Sequence, residues 1–220
     1  MADQLGLRAR KKQQTRERIA AAARRLFFER GFASVTVAEV AREADVAEAT
    51  VFNYFPRKED LFYSRLEAFE DEMLAAIRDR GPGETILGAF RGFLLAQRGV
   101  LAARAAGDEE EATEQLVAIS KLITESPELL ARERQVFARY ADALADLIRE
   151  ETGAGPRDVT PRVVANAMLG LHRALIDYVR ERALAGARAP QIGREVRAEA
   201  RRACAQLERG LADFGAREPL

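Results

Sequence analysis

The chain has 220 residues, with 35 Lys and Arg balanced by 35 Asp and Glu, one His, one Cys, no Trp and 48% hydrophobic residues. That apolar content excludes a disordered chain and is enough for a sizeable core divided over one or two domains. One His and one Cys exclude a disulfide and any site built from several Cys and His ligands, so neither a metal nor a cofactor is expected.

The zero net charge is a sum over unlike parts. Residues 8 to 30 hold nine basic side chains, from Arg8, Arg10, Lys11 and Lys12 through to Arg30, and two Glu, a net of +7, whereas residues 61 to 220 carry a net of −3. A basic arm on an acidic body is either a nucleic-acid contact or a solvated helix face with a frayed tail. From Thr15 to Arg30, apolar residues recur at Ile19, Ala22, Ala23, Leu26 and Phe27, and Gly31 follows where a glycine often ends a helix, so a first helix is predicted there. Its longest apolar run, Ile19 to Ala23, is five residues, too short for a membrane span or a signal-peptide core. With so little sulfur, the chain reads as cytoplasmic and free of any membrane.

Two short helices come next. Thr36-Val37-Ala38-Glu39 is a capping box, in which hydroxyl and carboxylate satisfy each other's backbone donors, and it opens a helix through Val40, Ala41 and Ala44. Asp45-Val46 breaks that helix, and a third runs from Ala47 to Phe55 before Pro56 stops it. Such short helices are unstable alone. Phe32, Val35, Val40, Val46, Phe52 and Phe55, with Ile19 and Leu26, are expected to supply their shared core.

A longer helix is predicted from Pro56 to about Arg80, carrying Leu61, Phe62, Leu66, Phe69, Met73, Leu74 and Ile77 and ending at Gly81-Pro82-Gly83. Further helices are predicted over about Glu84 to Leu101, Glu111 to Thr124, Pro127 to Glu151, Thr160 to Leu184 and Ala189 to about Leu211. The last two open on Pro-containing starts, and Thr160-Pro161 suits a cap and first helical position. Stripes at Val164, Ala167, Met168, Leu171, Leu175 and Tyr178, and at Ile192, Val196, Ala200, Ala203, Leu207 and Leu211, run along them. Five carboxylates cluster between Asp108 and Glu114. No segment alternates with period two, so the chain reads as all-α. The expected division is residues 1–62, a basic arm with a three-helix helix-turn-helix unit, and residues 63–220, a second helical domain. In such a unit the last short helix lies in the DNA major groove, and Arg8 to Lys12 could enter the adjacent minor groove or follow phosphates.

Thr36-Val-Ala-Glu-Val-Ala-Arg-Glu-Ala-Asp-Val, followed by Ala-Glu-Ala-Thr50-Val-Phe-Asn-Tyr-Phe-Pro-Arg-Lys-Glu-Asp-Leu61, resembles the DNA-binding domain of the tetracycline-repressor (TetR) family over about residues 15 to 62. Ser126-Pro-Glu-Leu-Leu and the segment Ala165 to Ala174 are similar to members that sense acyl-CoA-like ligands. Asp45 stands where the family usually has Gly, and Asp tolerates the left-handed backbone such a turn needs. Ala47 and Arg57 replace the usual Ser caps, so both helix starts should lack a side-chain cap.

The resemblance implies that Ala49, Thr50 and Asn53 face the major groove and that Tyr54 and Lys58 hold phosphates. Asn can contact adenine through two hydrogen bonds, and Thr can touch a thymine methyl. Thr36, first a helix cap, can also serve a phosphate, as can Arg10, Lys11 and Lys12. Glu48 either accepts a hydrogen bond from a cytosine amine or points into solvent. In this fold the C-terminal helices usually enclose a cavity, for which Phe93, Ile119, Phe137, Tyr140, Met168 and His172 are the expected lining. Core packing is the competing role for the aromatic residues and His172, and Cys204 reads as a small core hydrophobe. Gly88 and Gly92 would allow close helix approach or leave room for a ligand.

The implied function is a ligand-responsive, sequence-specific transcriptional regulator, a repressor released by a small apolar or amphipathic, acyl-type effector. It would bind a palindromic operator as a homodimer paired through about residues 160–211. Effector binding would tilt the helix after Pro56 and change the spacing of the two DNA-binding heads. The rivals are an effector-independent DNA-binding protein, favoured by a cavity filled with its own side chains, and a helical enzyme, for which no nucleophile and base pair can be named.

Overall fold

A computed structural model describes residues 2–64, 66–96 and 109–210, with side chains for 10–64, 69–96 and 109–210. The end of the predicted helix at Leu101, Asp108 of the acidic stretch, Leu211 of the last stripe, and the side chains of Arg8 and Leu66 lie outside the described residues. The helices are α1 (Ala2–Arg30), α2 (Val37–Glu43), α3 (Glu48–Tyr54), α4 (Lys58–Phe62), α5 (Leu66–Arg78), α6 (Ile86–Leu95), α7 (Glu109–Thr124), α8 (Pro127–Thr152), α9 (Thr160–Leu184) and α10 (Ala189–Arg209), and the described residues contain no strand. The chain forms two compact units, one of residues up to Glu67 with Lys121–Glu133, the other of Ala68–Ser120 with Arg134–Leu220.

In the first unit α1 packs on α2 and α4, and α2 on α3. Ile19, Phe27, Val40, Val51, Phe55 and Leu61 are fully enclosed. Phe27, Phe32 and Phe62 meet ring to ring, Phe27 and Phe32 at 5.0 Å and both against Phe62 at 6.4 Å. The capping box at Thr36 forms as expected, and Gly31 ends α1 with φ +82°. Asp45 takes φ +50°, the left-handed turn that its side chain tolerates, and neither Ala47 nor Arg57 supplies a side-chain cap. The predicted helix over Pro56 to Arg80 is two, with Tyr63 and Ser64 in a turn after α4. Val159, rather than Thr160, occupies the cap of α9, and Asp158 accepts the Thr160 N–H at 2.8 Å.

The first unit departs from the expected boundary after residue 62, because it takes in the end of α7 and the start of α8. Ser126 accepts the Leu129 N–H at 3.2 Å, a side-chain cap on α8 with Pro127 at its first position. Leu129 is then inserted into the core beside Tyr63, whose hydroxyl donates to the Leu129 carbonyl at 3.1 Å. Arg132 donates to Asp60 at 2.7 Å on the same face. Ser126-Pro-Glu-Leu-Leu, read as a mark of ligand class, therefore has a local task in helix capping and packing.

In the second unit α10 packs on α9 and α6. Of the two predicted stripes, Met168, Leu171, Leu175, Ile192, Val196 and Ala200 are buried, with Cys204 beside them, whereas Val164 and Ala167 are exposed and Tyr178, Ala203 and Leu207 are half-buried. Arg182 grips Glu195 through two bonds at 2.9 and 3.2 Å, and the Tyr178 hydroxyl donates to the same carboxylate at 3.1 Å. The Arg182 guanidinium first, then the Gln191 amide, which donates at 2.7 Å, and the Tyr178 hydroxyl hold the Glu195 carboxyl at about 2.

Candidate functional site

The register of α3 is set from inside. Val51 and Phe55 are buried, one turn apart, and this forces Glu48, Ala49, Phe52 and Asn53 outward, with Thr50 and Tyr54 half-buried at the margin. Arg16 of α1 locks the C-terminal end by donating to the Tyr54 carbonyl at 3.2 Å while its guanidinium lies 4.6 Å from the Phe55 ring centre. Ala49, Thr50 and Asn53 thus share one edge of the exposed face, and Glu48 lies at its start. Phe52, expected in the core, is 45% exposed on the same face. Val51 is the buried residue of this seven-residue helix and Phe55, its C-cap, is buried next to it, so Phe52 takes an outward position.

The start of α2 is equally constrained. The Thr36 N–H and hydroxyl each donate to Glu39 at 2.8 Å, and Arg30 donates to the other oxygen at 2.7 Å. Thr36 itself remains exposed. The Thr36 N–H, then Arg30, hold the Glu39 carboxyl at about 2, below its ordinary 4.5. A carboxylate with a depressed value stabilises the fold above about pH 4.5, and its contribution is lost as the pH falls toward 2. Thr36→Ala is expected to lower the stability of this unit by about 1 kcal/mol at neutral pH. Urea unfolding at several pH values checks both statements: a variant as stable as the parent at pH 7, or a parent whose stability is flat from pH 5 to 3, would contradict them.

Lys58, matched to a phosphate-holding position, has an internal partner. Its ammonium donates to the Phe32 carbonyl at 2.5 Å and lies 4.3 Å from the Phe32 ring centre, and burial pushes its pKa down. Arg10, Lys11 and Lys12 are exposed, and the segment that carries them is helical. An α-helix about 10 Å across does not enter a minor groove about 6 Å wide, so in this conformation the phosphate role suits these residues and the minor-groove role does not. The helix extends past Thr15 although residues 2 to 14 lack an apolar stripe; Gln13 bonds Glu17 at 2.8 Å, and the Thr15 hydroxyl bonds the Lys11 carbonyl at 3.0 Å.

Four of the six expected cavity residues, Phe93, Phe137, Tyr140 and His172, are joined by ring contacts in the second unit. Phe93, Phe137, Tyr140, Met168 and His172 are all buried, whereas Ile119 is 37% exposed. Phe69, which sequence reasoning placed only on a core stripe, is central to the group: its ring stacks on His172 at 4.6 Å and meets Phe93 at 5.1 Å and Tyr140 at 5.9 Å. Phe137 meets His172 at 5.5 Å. Neither nitrogen of His172 has a hydrogen-bond partner, and burial pushes its pKa down to about 4. A Cβ added at Gly92 would touch nothing within 4 Å and one at Gly88 would meet its own cap, Thr85, so neither glycine serves close helix approach among the described residues.

On the outer side of α9 and α10 lies a groove of about 660 Å³. Ala167, Gly170 and Ala174 of α9 face Ala203, Gln206 and Leu207 of α10 across it. Among the described residues no helix is long and apolar enough to cross a membrane, and no group of three or more His, Cys, Asp or Glu is placed to hold a metal.

Residues 19–64 match the family model described as bacterial regulatory proteins, tetR family, and residues 94–212 match that of the MftR C-terminal domain. The chain is 30% identical over 172 residues to the HTH-type transcriptional regulator TcmR of Streptomyces glaucescens, covering 77% of this chain and 75% of that protein. Among solved structures it is similar to Thermus thermophilus FadR, a TetR-family transcriptional repressor in complex with lauroyl-CoA, with TM-score 0.51 and 23% identity over 93% of this chain and 99% of that one. Pseudomonas aeruginosa NalD, the secondary repressor of the MexAB-OprM multidrug efflux pump, matches with TM-score 0.52 and 20% identity over 87% and 97% of the respective chains.

Proposed function

The chain belongs to the TetR family of bacterial transcriptional regulators, and on that premise we propose that α3 lies in the major groove with Ala49, Thr50 and Asn53 against base edges. The exposed, internally registered face of α3 carries this reading. Thr36, Tyr54, Arg10, Lys11 and Lys12 supply phosphate contacts around it. Glu48, at the first position of α3, takes a cytosine amine or stays in solvent. The protein is a DNA-binding regulator of a family whose members are typically ligand-responsive repressors.

We assign the dimer surface to about residues 160–211, the groove between α9 and α10, where small residues let a second copy approach closely. Two copies would then present their recognition helices to successive major grooves of a palindrome. The effector is a small amphipathic molecule, acyl-type by likeness to the lauroyl-CoA-bound repressor, whose polar group meets His172 within the aromatic cluster. The ring-to-ring filling of that cluster supports the rival reading, an effector-independent regulator. The two unpartnered imidazole nitrogens support the effector, because such groups are costly when unsatisfied.

Salt-titrated binding of a selected operator and a random duplex tests the DNA-binding reading. Asn53→Ala is expected to reduce discrimination between the two by about 10- to 100-fold, the worth of one two-bond base contact. Lys11→Ala should weaken both duplexes alike and lower the salt slope by about one. Lys58→Ala, matched by its motif to the same phosphate role, should also lower the melting temperature, because its ammonium holds the Phe32 carbonyl. Equal effects of Asn53→Ala and Lys11→Ala on both duplexes would sink the assignment.

A further inference from the structure

We propose that the effector meets His172 with an uncharged hydrogen-bonding group, a hydroxyl, amide, ester or thioester, and that free carboxylates and phosphates are refused at this position. The inference rests on the reading of the aromatic cluster as the effector site and names the chemical class that the site selects.

The imidazole is 2% exposed, and among the described residues neither of its nitrogens has a hydrogen-bond partner. Buried polar atoms in that condition are rare, because each gives up its hydration without a replacement bond. The Phe69 ring covers one face of the imidazole at 4.6 Å, with 18° between the planes, and Phe137 leans toward it at 5.5 Å. A group that satisfies a nitrogen therefore comes to the edge of the imidazole, not to the face under Phe69. Phe93 and Tyr140 extend the apolar surroundings through their contacts with Phe69.

Charge decides the class. Burial pushes the imidazole down to about 4, and among the described residues no charged group adds to or opposes that shift. At pH 7 only about one molecule in a thousand would carry the extra proton. Arg139, whose guanidinium lies 5.6 Å from the Tyr140 ring centre, donates to Glu70 at 3.0 Å and is neutralised there. A carboxylate or phosphate brought to His172 would thus be buried without a counter-charge, which is far costlier than burying a neutral polar group. Neutral imidazole offers one donor and one acceptor. A hydroxyl or a primary amide can use either nitrogen, and an ester or thioester carbonyl accepts from the N–H. Because rings fill the cluster, an entering apolar chain exchanges one set of apolar contacts for another. The hydrogen bond to His172 is the gain that remains.

His172 is the one histidine of the chain, so full-length protein labelled with 15N-histidine gives the signals of a single imidazole. The probes are octanamide, 1-octanol and octanoate at pH 7, which share an eight-carbon chain and differ in the head group. From ligand-induced melting shifts, octanamide and 1-octanol are expected to bind at least about 10-fold more tightly than octanoate. Both should move the imidazole nitrogen signals while the ring stays neutral. His172→Phe, which keeps an aromatic ring in place, should weaken octanamide by about 10-fold, and His172→Gln, an uncharged donor and acceptor, should restore most of that loss. The inference is overturned if octanoate binds as tightly as octanamide, if octanamide binds without moving the imidazole signals, or if His172→Phe binds it like the parent. If no probe shifts either the melt or the imidazole signals, the cluster takes no ligand and the effector reading falls with it, so the two failures are told apart.

Discussion

Leu129→Ala is expected to destabilise the DNA-binding unit by about 2 to 5 kcal/mol, the usual range for removing a fully enclosed leucine. Leu129 lies 66 positions beyond Tyr63, yet it is 0% exposed and belongs to the same core as Phe27, Phe55 and Leu61. The unit is small, so that loss is a large share of its stability. Urea unfolding followed in the N-terminal unit, together with operator affinity at 37 °C, measures the effect. An unchanged midpoint would mean that α1 to α4 are self-sufficient. The expected result also makes a fragment ending near residue 64 markedly less stable than the same residues in the full chain.

His172→Phe should act in the opposite direction. Phenylalanine keeps the stacking on Phe69 and the tilted contact with Phe137 and removes two buried nitrogens without partners, each costing about 1 to 3 kcal/mol, so a stabler protein is expected at pH 7. The substitution should also change the acid response. With a pKa of about 4 in the fold and 6.5 in the unfolded chain, the unfolded state binds the extra proton between those values, so His172 costs stability as the pH falls from 6.5 to 4, in total about 3 kcal/mol. Above pH 6.5 it costs nothing further by titration. Unfolding midpoints of parent and variant from pH 7.5 to 4 should therefore diverge on the acid side. If His172 receives the polar group of an effector, the stabilised variant should hold its operator in the presence of a compound, such as lauroyl-CoA, that releases the parent. A less stable variant, or curves that run parallel from pH 7 to 4, would remove the unpartnered imidazole from this account.

The helices were legible because their signals are local. The capping box at Thr36, the glycine after Arg30 and the apolar spacing of α9 and α10 each work over a few residues, and the structure reproduces these helix limits within two or three positions. The left-handed turn at Asp45 was legible for the same reason. The extension of α1 was not, since residues 2 to 14 form a helix without an apolar stripe to announce it. Phe52 was misplaced by the logic that succeeded elsewhere: a large apolar residue in an amphipathic helix suggests burial, but a seven-residue helix offers the core one narrow face, and Val51 and Phe55 occupy it. Of the expected cavity residues, Phe93, Phe137, Tyr140 and His172 share one ring cluster with Phe69, Met168 is buried, and Ile119 is exposed.

Fold class, most of the helices and the family were present in the one-dimensional pattern, because periodicity, capping and the Thr36 to Leu61 motif depend on near neighbours along the chain. The partner of Lys58, the insertion of Leu129 into a core that begins at Ile19, the stacking of Phe69 on His172 and the exposure of Phe52 were set by packing. These are outcomes of competition for limited interior space between residues far apart in sequence, and which side chain occupies that space is decided when the helices meet.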